Sequence, residues 1–344
     1  MPTSFPELIV QLQNDPLLAC STFLIFAVLL VNGWTDAPNA ITGVVVTGAL
    51  PFRASVLLAA VCNFLGVLFV TSVNASVTET IYSIVSFRGG TTAALVALCA
   101  AMISIVLWAT AAWVLGIPTS ESHALVAGLS GAAVALEGTF ACIRWTYWAR
   151  VLWGLAFSSI IGFAGGFLIQ RRLKGKQFPP CIYRTAQISG AAGLSFFHGA
   201  QDGQKFLGMF LLCFSLAQGY SDQQLQHIPL LFLTLCAAFI ALGTLIGGRR
   251  IIDKIGRKMV NLGSEEGLSA DLSSILTLFF ATVLGFPVST THTRTTALLG
   301  AGLSGTGTAS LPTVFQIIFV WLFTFPACMT IGFLMTKLLL NFTL

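Results

Sequence analysis

Apolar segments and polar breaks alternate along this chain in an order that repeats once. Apolar runs cover 17–32, 38–50, 54–73, 92–115, 122–137 and 148–169, then 186–197, 206–217, 229–247, 272–286, 292–304 and 313–338, six to each half. Several are too short to cross about 30 Å of hydrocarbon at about 1.5 Å per helical residue. The short ones flank two polar interruptions, NGWTDAPNA (32–40) and HGAQDGQKFLG (198–208), so 17–50 and 186–217 each read as one crossing with a broken helix in its middle. Broken helices persist in a bilayer only where they line a cavity or are buried in protein. A second pair of breaks, GIPTSESH (116–123) and GFPVSTTH (285–292), follows at matching distance: Pro118 lies 82 residues after Asp36, and Pro287 lies 85 after Asp202. The pattern predicts an all-α polytopic membrane protein with discontinuous helices and 10–12 membrane segments.

Composition agrees, since 56% of the 344 residues are hydrophobic, 8% are charged and the mean hydropathy is +0.89, which excludes an ordinary soluble domain. Residues 17–31 have the length of a signal-peptide core, but Glu7 and Asp15 precede them and the first basic residue is Arg53, so this segment is expected to stay in the membrane. Eight cysteines lie mostly in apolar runs without ligand spacing and read as small hydrophobes, so neither a metal site nor a cofactor is expected. Loops 171–184 and 249–258 hold ten of the seventeen Lys and Arg, which makes both cytoplasmic by the positive-inside rule. The same concentration explains the net charge of +5 without any nucleic-acid partner. Segment 221–227 has no Lys or Arg and falls on the other side. Five crossings per half then place both termini outside, and an odd number inverts the second half relative to the first. This is the design of an inverted-repeat secondary transporter of the cell membrane, with its site near the midplane. The repeats fall at 16–172 and 184–341, with 171–184 as the cytoplasmic join.

The second pair of breaks carries an anion argument. Gly-x-Pro halts one helix and fixes the chain for the next, so Thr119, Ser120 and Ser122, or Ser289, Thr290 and Thr291, fall at a new helix start. Free N–H groups, the positive dipole end and hydroxyls together suit a tetrahedral oxyanion. Ser and Thr also cap and glue helices in membranes, and it is the duplication that favours the anion. The first pair carries a cation argument. Asp36 and Asp202 lie inside crossings, where an unpaired carboxylate costs about 3 kcal/mol or more, so each needs a partner. Asn39, Gln201 and carbonyls freed by a break supply hard oxygen ligands, while an ion pair of Asp202 with Lys205 is the alternative in the second half.

With these residues in view, the chain resembles the inorganic phosphate transporters known as the PiT family. HGAQDGQKFLG and NGWTDAPNA are similar to the bacterial forms of its two signature stretches, and PTSESH and PVSTTH match in kind and spacing. The resemblance implies symport of phosphate with cations, an inverted-repeat transport domain set among membrane lipid, and assembly as a homodimer. It implies that Asp36, Asp202 and Asn39 serve the coupling ions and that the hydroxyls at 119–122 and 289–291 hold the anion.

Departures from the signature shape the expectations. Thr35 and Gln201 stand where it has Asn, and Lys205 takes the place three residues after its aspartate that Asn39 holds in the first half. A fixed ammonium can do a bound cation's electrostatic work, so of proton and sodium as coupling ion the sequence leans to the proton, or to uptake of a metal–phosphate complex, over two sodium ions. Glu121 sits within the hydroxyl cluster opposite Thr290; it either points away from the anion or is protonated when the anion binds, on a proton path that His123 and His292 would share. Arg294 is an anion clamp or a partner for an acid, where the first half has Leu125. Trp145, Tyr147, Trp148 and Trp153 read as an interfacial belt. Carrying a divalent anion into a negative interior costs about 2.3 kcal/mol per charge per 100 mV, which favours coupling over a passive channel. Sulfate or another tetrahedral oxyanion is the alternative substrate. A remote alternative is an intramembrane serine protease, because Gly128-Leu129-Ser130-Gly131 and Gly302-Leu303-Ser304-Gly305 both fit GxSG.

Overall fold

The computed structural model describes residues 1–344 except 88–89, 177–178, 220–227, 247, 261, 306–308 and 344, so loop 221–227, with His227, lies outside the described residues. The chain is helical throughout: α1 Phe5–Asn14, α2 Pro16–Thr35, a 3-10 turn Ala37–Ile41, α3 Thr42–Val46, α4 Phe52–Val73, α5 Ser76–Tyr82, α6 Thr91–Val114, α7 Glu121–Glu137 and α8 Trp145–Leu173. The second half runs α9 Pro180–Ala217, α10 Leu230–Ile246, α11 Arg249–Asp253 with a π-helical turn Lys254–Met259, α12 Ser264–Val283, α13 Thr290–Gly305 and α14 Leu311–Thr343. Six helices are long and apolar enough to cross a membrane, or up to seven if α10 and α11 form one bent span. This is a multi-pass membrane protein. None of the eight cysteines is in a disulfide among the described residues.

The two halves pack reciprocally. Helix α8 lies on α13 as α14 lies on α7; α4 lies on α9 as α10 lies on α2; α8 meets α12 as α14 meets α6. In the most apolar stretch of both α8 and α14, 22% of residues are buried, against 67% in α6 and 61% in α12, so each half places its last helix towards lipid and its third crossing inside. Lipid tails are as apolar as Leu, so close backbone approach rather than apolar burial must hold such helices together. Small residues supply it. Gly131 lies against the Met329 backbone and Gly300 against that of Phe163, with no space for a side chain at either. Within the GxSG runs, Gly131 makes one of these contacts and Gly302 lies against the Val260 side chain, so the runs serve packing; Ser130 accepts a hydrogen bond from Trp148 Nε1 at 2.9 Å, and no histidine bonds it among the described residues.

The helix starts form where the sequence places them, and by matching means. After α6 and α12 the chain turns through Gly116 and Gly285 at φ of +64° and +70°, a region costly for any other residue. Gly116 N–H bonds Trp113 O and Ile117 N–H bonds Ala112 O; Gly285 and Phe286 repeat this on Thr282 O and Ala281 O. Both are Schellman endings, each followed by proline. Ser120 and Ser289 then cap α7 and α13, accepting from His123 N–H at 3.3 Å and His292 N–H at 3.1 Å. Helices of 17 and 16 residues begin here inside the protein.

The two acidic interruptions differ. At Asp36 the helix gives way to the 3-10 turn, because Pro38 has no N–H to continue the ladder. The break expected at 198–208 is absent: α9 is one uninterrupted helix of 38 residues. HGAQDGQKFLG has no proline, and its polar side chains bond one another and neighbouring helices, so its backbone keeps its own hydrogen bonds.

Candidate functional site

Where α7 and α13 begin, they face each other. The rings of His123 and His292 meet edge-on with centroids 4.5 Å apart, and His292 lies on Trp321 at 3.6 Å while His123 stacks on Phe325. Around this meeting lie Asp36, Asn39, Glu121, Ser122, Gln201, Asp202, Lys205, Thr290 and Thr291, all buried.

The hydroxyls of one half hold the charged groups of the other. Thr291 Oγ1 donates to Asp36 Oδ1 at 2.7 Å and accepts from Asn39 Nδ2 at 3.1 Å. The symmetry mate of that contact is Lys205 Nζ on Ser122 Oγ at 2.7 Å, since Ser122 corresponds to Thr291 and Lys205 to Asn39. Lys205 Nζ also donates to Asp202 Oδ1 at 2.7 Å and to the Val288 carbonyl at 2.5 Å, so one ammonium ties α9 to both helix starts. The ion pair that the sequence offered as an alternative for Asp202 is therefore formed. Asp202 Oδ2 takes Asn32 Nδ2 at 3.1 Å and Thr290 Oγ1 at 3.3 Å, with His198 Nε2 at 3.3 Å.

Glu121 lies on the hydroxyl of Thr35, which also donates to Val31 O at 2.7 Å. Gln201 does not face the acids: its amide bonds Thr282 Oγ1 at 2.9 Å and the backbone of the second helix start. Thr119 is also displaced from its expected group. Its hydroxyl turns to Trp108 Nε1 at 2.9 Å and Thr324 Oγ1 at 3.1 Å, and Val288 holds the matching position in the second half. Nδ1 of His123 and Nε2 of His292 have no hydrogen-bond partner among the described residues. Arg294 pairs with an acid, Asp271, at 2.5 Å.

Sequence reasoning passed over Asn32, His198 and Asn63. Asn32 and His198 each precede their aspartate by four residues, on the same helix face, and that spacing was the available signal. Asn63 Oδ1 accepts from His198 Nδ1 at 3.1 Å and its Nδ2 donates to Thr244 Oγ1 at 3.1 Å, and as a lone amide in an apolar helix it gave none.

A helical bundle that buries two facing helix starts and three acids in its centre, with the long apolar helices α8 and α14 outside, has the build of a membrane carrier. The chain belongs to the phosphate transporter family, whose model matches residues 32–179 and 170–332. It is 33% identical to a probable low-affinity inorganic phosphate transporter of Bacillus subtilis (strain 168), over 92% of this chain and 96% of that one. It is 36% identical to the protein of the same description from Rhizobium meliloti (strain 1021), over 92% and 93%. Its fold is that of a solved structure titled "The sodium-dependent phosphate transporter", with TM-score 0.85 at 20% identity, covering 96% of this chain and 100% of that one.

Proposed function

We propose that this protein moves inorganic phosphate across the cell membrane in symport with a cation, by alternating access between two inverted repeats, 16–172 and 184–341. The observation that carries this reading is that the hydroxyls suited to an anion are held by the carboxylates suited to a cation: Thr291 by Asp36, and Thr290 by Asp202. A negative Asp36 keeps the Thr291 hydrogen and repels an arriving anion. Once a proton or metal ion neutralises that carboxylate, Thr291 is released to the anion and the repulsion is gone. Coupling follows from one hydrogen bond with two competing acceptors.

Ser120 and Ser289 use their oxygens as caps and leave their O–H groups to a ligand, so the two helix starts present matched donors. Hydrogen phosphate has a hydroxyl to donate and sulfate has none, and carboxylates set among the donors favour the former. Lys205 supplies a fixed positive charge where the first half has Asn39, which supports proton coupling through Glu121 and Asp36 over two bound sodium ions. The solved relative in fold is described as sodium-dependent, which supports a cation in the cycle. The reciprocal packing of the halves supports a repeat of the order given. A homodimer rests on the family resemblance.

Replacing Asp36 or Asp202 with Asn tests the reading. Each variant is expected to insert and to lose concentrative uptake, and wild-type accumulation by either one removes that carboxylate from the coupling scheme.

A further inference from the structure

The end of the molecule near the join 171–184 holds a vestibule of about 610 Å³, lined by Thr47 after α3, Arg184 and Gln187 on α9, and Glu266 on α12. Gly267, next along α12, lies against Gly43 and the Gln187 amide. One turn deeper are Asp271 and Arg294, paired at 2.5 Å and each 1% exposed. A side chain on Gly43 would begin 3.1 Å from Arg294 Nη2 and 3.6 Å from Asp271 Oδ1, so Gly43, Gly267 and the Gln187 amide lie between the vestibule and the ion pair. On the other side of the pair, three residues back along α13, Thr291 holds Asp36 and Asn39. The pair thus lies between an open vestibule and the central network.

Nothing else among the described residues accounts for it. Arg294 Nε and Nη1 and Asp271 Oδ2 have no hydrogen-bond partner among the described residues, and a buried pair left so incomplete is a poor stabiliser. Counted from Gly116 and Gly285, the matching positions in the first half are Met102 and Leu125, so the charges belong to one end of the molecule only. A guanidinium presents parallel N–H groups that fit the oxygens of a tetrahedral anion. Resting on the phosphate-transport reading, we propose that Arg294 is a second oxyanion station, latched by Asp271, through which the anion passes between the central site and the vestibule. An anion reaching the guanidinium competes with Asp271 for the same N–H groups, and the displaced carboxylate turns to vestibule water.

Phosphate binding by equilibrium dialysis and uptake into proteoliposomes, measured on the whole chain, test this. Replacing both partners, Arg294→Met with Asp271→Leu, leaves no unpaired buried charge and is expected to fold. This double variant should bind phosphate within about threefold of wild type, while its uptake rate falls about ten- to a hundredfold, the worth of hydrogen bonds to a charged group. Arg294→Lys, which keeps the charge and loses the fork, should lower the rate in the same direction. Transport by the double variant within about twofold of wild type overturns the proposal. So does full activity of the exchanged pair Arg294→Asp with Asp271→Arg, since a purely structural contact survives exchange and an anion station facing Asp does not. Failure of the wild-type protein to bind phosphate in the same dialysis defeats the reading of the central site, and is distinguished in that way.

Discussion

Replacing Lys205 with Asn, the residue that the first half carries at the matching position, tests the idea that a tethered ammonium stands in for a bound cation. Lys205 is completely buried and makes three short contacts, to Asp202 Oδ1 and Ser122 Oγ at 2.7 Å and to Val288 O at 2.5 Å. The shorter amide carries no charge to any of them. Removing one partner of a buried ion pair costs about 3–5 kcal/mol, because Asp202 is left uncompensated. For a chain of this size that corresponds to roughly 4–7 °C in apparent unfolding temperature. If the vacated place becomes a cation site, a bound ion restores about 2.7 kcal/mol at a hundred times its dissociation constant. Unfolding in detergent should be followed at one fixed scan rate, in sodium and in potassium chloride at equal ionic strength, since irreversible unfolding makes the midpoint rate-dependent. Lys205→Asn is expected to be destabilised in potassium and largely restored in sodium, and its phosphate uptake to become sodium-dependent. Lys205→Met, which offers no ligand oxygen, should be destabilised without rescue. A Lys205→Asn protein as stable as wild type in potassium, or one that sodium helps no more than potassium does, refutes the substitution of ammonium for cation.

Three further outcomes follow from the site. Ser120→Ala and Ser289→Ala should each weaken phosphate binding about ten- to a hundredfold, the worth of a hydrogen bond to a charged group; dialysis showing that one matters and its mate does not would place the anion on one half alone. Thr119→Val should leave the phosphate dissociation constant within about twofold of wild type, because its hydroxyl serves Trp108 and Thr324 and the second half has valine there; a tenfold loss would return Thr119 to the anion site. Glu121→Gln keeps a hydrogen-bonding group on Thr35 but cannot gain or lose a proton, so phosphate exchange should persist while accumulation driven by a pH gradient is lost; unchanged pH-driven accumulation removes Glu121 from the proton path.

The features legible in sequence were those fixed by local backbone chemistry. Gly116 and Gly285 announce a left-handed turn, Pro118 and Pro287 a fresh start, and Ser120 and Ser289 a cap, and each does that work in the fold. Pro38 likewise explains why the chain breaks at Asp36. The second interruption misled because polarity alone does not break a helix: Asp202, Lys205 and His198 lie three and four residues apart and satisfy one another along an intact α9. Direction was illegible too. Thr119 adjoins Ser120 in sequence yet points to α6 and α14, and only Val288 in the matching place hinted at this. Contacts between halves, such as Thr291 with Asp36 or Arg294 with Asp271, depend on packing that no spacing encodes.

The central claim is that phosphate movement is driven by a cation through the acids that hold the anion's hydroxyls. Uptake of labelled phosphate into proteoliposomes, with labelled sulfate in parallel and inward sodium and proton gradients imposed separately, tests it most directly. The account predicts that phosphate accumulates above its external concentration only under an inward cation gradient, the proton gradient sufficing without sodium, and that sulfate does not accumulate. Phosphate that merely equilibrates under every gradient, or sulfate accumulated in its place, would contradict it.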